Sequence, residues 1–249
     1  MPKLLAIIPH PDDEAYSFGG TIALATRAGW ECLVVCCSSG EAGELNGGPT
    51  SPATLGPLRE RELVRSCEAL GAAAPRFWRW PDGALSGLDG AGDVRRLLEQ
   101  EAPDLVIALG ADGAYGHPDH LAVHRWVVDA WSVLDAARPP LLFAAFPRGL
   151  FLPQYAKCIG MMGDPPDPPA SAIGAAIAHY EVPVATVAAT KLAAISAHAS
   201  QLPGGRPEAL FPPGIVASLL EVESFTDARG IAYPATSALL SSLAGTTGG

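Results

Sequence analysis

Two short runs concentrate the side chains able to do chemistry. "PHPDDE" carries His10, Asp12, Asp13 and Glu14 directly after an apolar run, and "GADGAYGHPDHLAVH" carries Tyr115, His117, Asp119, His120 and His124 later in the chain. Ionisable groups crowded at the end of a buried strand are costly unless something offsets them. One explanation is local: Asp12 or Asp13 caps a helix beginning near Glu14, where the helix dipole favours acids. That leaves His10 without a role. His10 and Asp13 lie three residues apart, as do His117 and His120, a spacing that lets two side chains converge on one ion across a tight turn. Two histidines and a carboxylate suit a catalytic zinc, because the remaining coordination positions stay open for water and substrate. The same donor set describes non-haem iron enzymes. The residues alone do not decide which of Asp12 and Asp13 is ligand and which is base.

The elements that must position these runs alternate in type. "LLAIIP" (4–9) reads as a strand buried on both faces, followed by a helix, "EAYSFGGTIALATRAG", closed by Gly29. "ECLVVCCSS" (31–39) is a second strand, and "PLRERELVRSCEALGA" (57–72) is an amphipathic helix with Leu58, Leu63, Cys67 and Leu70 on one stripe. "PRFWRWP", "DVRRLLEQEAP", "DLVIALG" and "HLAVHRWVVDAWSVL" continue the pattern as strand, helix, strand and helix. Repeated β-α-β units imply an α/β fold: a single-domain, Rossmann-like parallel sheet with helices on both faces, which binds ligands at the carboxyl ends of its strands. Residues 1–140 form the expected core. Residues 141–249 are less regular and complete the same domain, with "YEVPVATV" a strand and "ATKLAAISAHASQL" a helix. Both reactive runs fall where a strand gives way to a helix.

Composition excludes several classes. The chain has 249 residues, 49% hydrophobic and 17% charged, which is enough apolar content for a sizeable core. A net charge of −10 without any basic stripe argues against a nucleic-acid partner. No segment reads as membrane-spanning, and the opening apolar run is too short for a signal sequence. Five cysteines without a C-x-x-C pair read as buried thiols in a reduced, cytoplasmic protein. "SFGG" lacks the G-x-G-x-x-G dinucleotide pattern. The Gly/Pro-rich loops 44–57 and 163–171 read as segments that cover a site and shape substrate choice. Trp78, Trp80, Trp126 and Trp131 stack on a sugar or fill the core, and burial is the default. His124, one helical turn after His120, reads as structural. His198 is undecided, and His179 carries no signal.

"PHPDDE" together with "GHPDH" resembles the LmbE-like/PIG-L family of zinc-dependent de-N-acetylases, which includes N-acetylglucosaminyl deacetylases. Weaker matches extend it: "SSGEAGE" (38–44), "REREL…ALG", "PDGAL" and "AHASQ", so that the resemblance spans residues 5–201. It implies that His10, Asp13 and His120 hold one Zn2+, with Fe2+ as the other candidate, and that the neighbouring Asp12 is the general base. It implies an oxyanion-stabilising His117 whose orientation Asp119 fixes, and a Tyr115 beside the substrate carbonyl. Arg59 and Asp82 align with substrate-contacting positions, although each also reads as a solvated helix or turn residue. Glu41 stands in a loop that could line the pocket, and Glu14 supports His10 or the helix end.

The implied activity is hydrolytic removal of acetate from a small N-acetylglucosamine-type substrate. An amidase for sugar–thiol conjugates is the same chemistry on another substrate. Two further hypotheses are a non-haem iron enzyme, which normally uses an antiparallel barrel, and an inactive sugar-binding module, which should have lost Asp12 or His117. The sequence leaves homo-oligomer assembly open.

Overall fold

The computed structural model describes residues 1–45, 50–135, 138–174, 177–209 and 213–245. In chain order the elements are β1 (Lys3–Ile8), α1 (Asp13–Arg27), β2 (Glu31–Cys36), α2 (Pro52–Leu70), β3 (Arg76–Phe77), α3 (Ala91–Glu101), β4 (Leu105–Ala108), the single turn α4 (Gly113–Gly116) and α5 (Pro118–Ser132). They continue with β5 (Leu141–Ala144), α6 (Leu152–Cys158), β6 (Tyr180–Pro183), α7 (Ala188–Ala197), α8 (Ile215–Leu219), β7 (Val222–Asp227) and α9 (Pro234–Ala244).

The strands form one sheet in the order β3-β2-β1-β4-β5-β7-β6. β3 through β5 pair in parallel, as the buried apolar runs require. β7 departs from the parallel expectation and runs antiparallel to both β5 and β6. Its signal is hidden in the sequence because its buried positions are Glu223, Phe225 and Asp227, two of them acids. Each acid is paired, Glu223 with Lys191 Nζ at 2.6 Å and Asp227 with Arg229 at 2.7 Å, so this strand can afford charge where a strand normally buries carbon.

One face of the sheet is covered by α1, α2 and α7 and the other by α3 and α5, each closing its own apolar cluster. Trp126 and Trp131 are buried in the second cluster, Trp78 and Trp80 pack against it, and Trp80 meets Trp126 edge-on at 5.3 Å. α2 starts at Pro52 and carries Pro57 inside it. A proline favours the first helical turn, which is why the sequence places the start five residues late.

The strand order fixes where a ligand belongs. From β1 the chain moves outward to β2 and β3, then returns to place β4 on the other side of β1. The crevice between the carboxyl ends of β1 and β4 is therefore the switch point of an open α/β sheet, and each reactive run leaves one of these two strands.

Candidate metal centre and active site

Neither Asp12 nor Asp13 caps α1 with its side chain. Asp12 occupies the cap position without a side-chain bond to the helix, and its backbone sits at φ 122°. A non-glycine residue there costs about 1–3 kcal/mol and persists only when its surroundings hold it. Asp13 Oδ2 turns back to accept the His10 N–H at 3.0 Å. In the second run His117 caps α5 instead, its Nδ1 accepting the Asp119 N–H at 3.2 Å, with Pro118 supplying the first helical residue. Gly113, at φ 57°, lets the turn pass beneath His120, where a Cβ would come within 3.1 Å of the histidine's own.

These turns bring three atoms together from residues up to 110 apart. His10 Nδ1 lies 3.1 Å from His120 Nε2, and Asp13 Oδ2 lies 3.6 Å from the former and 3.5 Å from the latter. His120 gives its Nδ1 hydrogen to the Gly113 carbonyl at 3.0 Å. The His10 Nε2 hydrogen faces Asp82 Oδ1 at 3.0 Å and Asp119 Oδ2 at 3.3 Å. With the ring hydrogens assigned from these bonds, the atoms that face one another are all electron-pair donors. Such a triangle calls for positive charge, which a metal cation or a proton shared between His10 Nδ1 and His120 Nε2 supplies. Two imidazole nitrogens and a carboxylate oxygen within 3.1–3.6 Å of one another are the donor types that zinc takes, so this set fits the ion. Two other donor groups lie within 4.8 Å of one another, His10/His117/His120 and His10/Asp82/Asp119. Neither matches as well: His117 Nδ1 is occupied by the Asp119 amide, and the two carboxylates face the hydrogen-bearing side of His10.

The charges follow from this packing. Burial would raise the Asp13 carboxyl, but the His120 and His10 rings outweigh it and hold it down to about 2. Burial also opposes charge on His10, yet Asp119, Asp13 and Asp82 together keep its pKa well above the usual value. His117 is pushed down to about 3 by burial and by the neighbouring His120 and His10, so it is a neutral ring whose Nε2 carries the hydrogen. Asp12 rises to about 6 because it is buried, with the Arg59 guanidinium pulling down and Asp13 pushing up. Its side chain is 21% exposed, enough for a substrate or water to reach it.

A cavity of about 260 Å³ opens over Asp12, Asp13 and Tyr115. Its far wall is Phe146, Phe151 and the α6 residues Gln154, Lys157 and Cys158. Tyr115 stands edge-on to His120 at 5.0 Å and to His117 at 6.0 Å, and burial raises its hydroxyl pKa.

Three residues expected at the substrate turn away from the cavity. Arg59 is buried rather than solvated, donating to the Pro11 carbonyl at 2.6 Å, the Gly40 carbonyl at 2.9 Å and Asp12 Oδ2 at 3.1 Å. Gly40, at φ 67°, admits it, since a Cβ would fall 2.4 Å from the guanidinium. Asp82 is committed to His10 and to the Ala42 N–H, and Glu41 to the Asp82 N–H at 2.9 Å. Asp119 orients His117 through its backbone amide, while its carboxylate accepts the Gly83 and Leu85 N–H groups and faces His10. Glu14 accepts the Asp12 N–H, so its support goes to Asp12 rather than His10.

Residues 163–171 do not line the cavity. Neither do the described residues of 44–57; residues 46–49 lie outside the described set. The Pro168 carbonyl accepts the Tyr155 hydroxyl and so braces α6 from behind. His124 bonds the Leu109 carbonyl at 3.0 Å, a structural contact. The wall on α6 is what sequence reasoning missed, because seven residues between proline-rich stretches offer no periodic signal.

Known proteins resemble this chain in sequence and in fold. The GlcNAc-PI de-N-acetylase (PIG-L) family model matches residues 5–131, which contain both reactive runs. A 1D-myo-inositol 2-acetamido-2-deoxy-alpha-D-glucopyranoside deacetylase from Nocardia farcinica is 32% identical, across 93% of this chain and 92% of its own. Among solved structures, the N,N'-diacetylchitobiose deacetylase of Pyrococcus horikoshii superposes with a TM-score of 0.65 at 22% identity, covering 90% of this chain and 83% of its own. The 4-carboxy-2-hydroxymuconate hydratase GalB of Pseudomonas putida KT2440 superposes with a TM-score of 0.64 at 19% identity, covering 91% and 96%. One scaffold thus carries more than one reaction, and the solved structures speak for the fold alone. With near-complete coverage of a curated relative and the matched run of both histidine clusters, the chain belongs to the GlcNAc-PI de-N-acetylase (PIG-L) family.

Proposed function

We propose that this protein is a zinc-dependent hydrolase that removes the acetyl group from an N-acetylglucosamine-type substrate, with His10, Asp13 and His120 holding the ion. The observation that carries this reading is the triangle of His10 Nδ1, His120 Nε2 and Asp13 Oδ2 beside a reachable carboxylate, with Asp12 and Asp13 lining the cavity. A zinc ion bound there supplies Lewis acidity, lowering the pKa of its water to about 7 and polarising the amide carbonyl.

The chain's own groups do the rest. Asp12, poised near 6 and aimed by Arg59, accepts the proton of the attacking water. The neutral His117 presents its Nε2 hydrogen, and Tyr115 its hydroxyl, to the oxygen that gains charge as the carbonyl carbon becomes tetrahedral. Cleavage of the C–N bond then gives acetate, and the proton held by Asp12 passes to the departing amine. Asp82 and Asp119 fix His10 by receiving its other ring hydrogen. The aromatic wall of Phe146 and Phe151 shields the amide from bulk water, and α6 supplies the polar groups that meet the rest of the sugar.

The intact Asp12–His117 pair supports an active enzyme over a binding module. The continuous sheet supports treating residues 1–140 and 141–249 as one domain, since β5, β6 and β7 extend the sheet begun by β1. No helix among the described residues is long and apolar enough to cross a membrane, and the five cysteines are unpaired, which supports a reducing, cytoplasmic setting.

The test is metal analysis of the purified protein followed by acetate release from a panel: the inositol-linked N-acetylglucosaminide named for the Nocardia relative, diacetylchitobiose, and an acetylated sugar–thiol conjugate. Stoichiometric zinc with acetate release from at least one member is the expected result. Zinc-loaded protein that releases acetate from none of them overturns the hydrolase reading, and bound iron with no zinc-supported turnover overturns the choice of metal.

A further inference from the structure

Asp12 is held from two sides, and Arg59 accounts for only one of them. On the other side the Asp12 N–H donates to Glu14 Oε2 at 3.1 Å. Glu14 is fully buried, and its second oxygen receives the Ser66 hydroxyl at 2.5 Å and His198 Nε2 at 2.7 Å. His198 lies 184 residues beyond Glu14, at the C-terminal cap of α7, and is fully buried as well. Its other ring nitrogen has no partner among the described residues, so the bond to Glu14 is the polar contact this ring makes. The same stretch is pinned in place two residues later. Ser200 donates its N–H at 2.8 Å and its hydroxyl at 2.6 Å to Glu62 of α2. The end of α7 is thus fixed against α2 and presents one imidazole to the carboxylate that holds the Asp12 peptide.

The geometry points to His198 as a positioning residue for Asp12: through Glu14 it locks the Asp12 peptide in its positive-φ conformation and so keeps the Asp12 carboxylate facing the cavity. Without His198, Glu14 keeps Ser66 on one oxygen but is free to rotate, and the Asp12 N–H loses a fixed acceptor. The backbone at φ 122° then relaxes toward an ordinary conformation, and the carboxylate leaves Arg59. Asp13 stays in place because its contact to the His10 N–H and its approach to His120 do not pass through Glu14. This inference rests on the reading of Asp12 as the general base. It adds a residue that a purely structural role for the "AHASQ" stretch does not require.

The experiment compares His198→Ala and His198→Gln with the parent protein, in zinc content, kcat, KM, Tm and the crystal structure of the metal-free form. In His198→Ala we expect kcat to fall about 10–100-fold, the usual size for loss of an outer hydrogen-bonding partner, with KM and zinc content unchanged. In its structure Asp12 should leave the positive-φ region and part from Arg59. The glutamine amide nitrogen reaches about as far as Nε2 and should restore both kcat and the Asp12 conformation. A His198→Ala protein with lowered Tm but unchanged kcat and Asp12 geometry overturns the proposal, as does a loss of kcat that glutamine does not rescue. If the parent itself releases no acetate, the hydrolase reading fails, while the Asp12 backbone in the two variants still judges the positioning role.

Discussion

Replacing Asp119 by asparagine tests whether its carboxylate serves His10, as the contacts indicate, or His117, as the resemblance implied. The carboxylate is fully buried and takes three donors: the Gly83 N–H at 2.7 Å, the Leu85 N–H at 2.9 Å and His10 Nε2 at 3.3 Å. Asparagine keeps the shape but has one acceptor oxygen, so its amide nitrogen must confront at least one of these hydrogens. Leaving one buried N–H unsatisfied costs about 1–3 kcal/mol of folding stability. His10 retains Asp82 at 3.0 Å, so the weakening of its hold on zinc should sit at the low end of the usual range, about tenfold in Kd, or about 1.4 kcal/mol. Removing both carboxylates in Asp82→Asn/Asp119→Asn leaves the His10 Nε2 hydrogen without an anionic acceptor and should cost about a hundredfold. The assay is zinc competition against a chelator of known affinity, with thermal unfolding of the metal-free proteins to separate stability from affinity. His117 keeps its capping bond in the variant, because that bond comes from the Asp119 backbone. If zinc affinity is unchanged in both variants while kcat falls, the carboxylate acts on the reaction through His117, and the assignment to His10 is wrong.

Three further outcomes are expected. Asp12→Asn should keep its zinc and lose about 10²–10⁴-fold in kcat, whereas Asp13→Asn should lose zinc first; the opposite pattern exchanges their roles. Gln154→Leu and Phe151→Ala, both in the cavity wall, should change KM and selectivity among acetylated sugars while zinc content holds, and unchanged selectivity in both would return substrate choice to the loops at 44–57 and 163–171. Asp227 is buried, which opposes its charge, but Arg229 and Tyr180 bond it and hold its pKa below the ordinary value. A depressed folded-state pKa gives stability that is present above the unfolded value of about 3.9 and lost as pH falls through the folded one, so the destabilisation of Asp227→Asn should be full at neutral pH and vanish in acid. Urea unfolding across pH 2–7 measures it, and a pH-independent difference contradicts the linkage.

The parts of this protein legible in the sequence are those where one requirement dominates. β1, β2 and β4 are buried on both faces and so read as plain apolar runs, and His10, Asp13, His117 and His120 stand out because two clusters of histidine and aspartate recur where a strand gives way to a helix. What the sequence obscures depends on a partner far along the chain. β7 buries Glu223 and Asp227, which are tolerable because Lys191, 32 residues before Glu223, and Tyr180, 47 residues before Asp227, reach them, with Arg229 closing on Asp227 from two residues on. Arg59, Asp82 and Glu41 read as substrate contacts or surface residues from their neighbours alone, and folding turns each toward another part of the site. His198 gave no decision for the same reason, since Glu14 stands 184 residues away.

The excursion between β5 and β6, residues 145–179, has an evolutionary consequence. It leaves the sheet at Ala144 and returns at Tyr180, and it carries Phe146, Phe151 and α6, much of the cavity wall, without contributing a ligand to the donor triangle. It also lies wholly beyond residue 131, where the shared family signature stops. On the proposed reading, the metal-holding groups and this part of the wall therefore stand on separate stretches of chain. A change confined to this excursion would reshape the wall without touching a proposed metal ligand, so a relative's substrate does not carry over to this protein with the family. Grafting the corresponding excursion from a relative of known preference onto this frame is the natural route to a deacetylase of chosen selectivity.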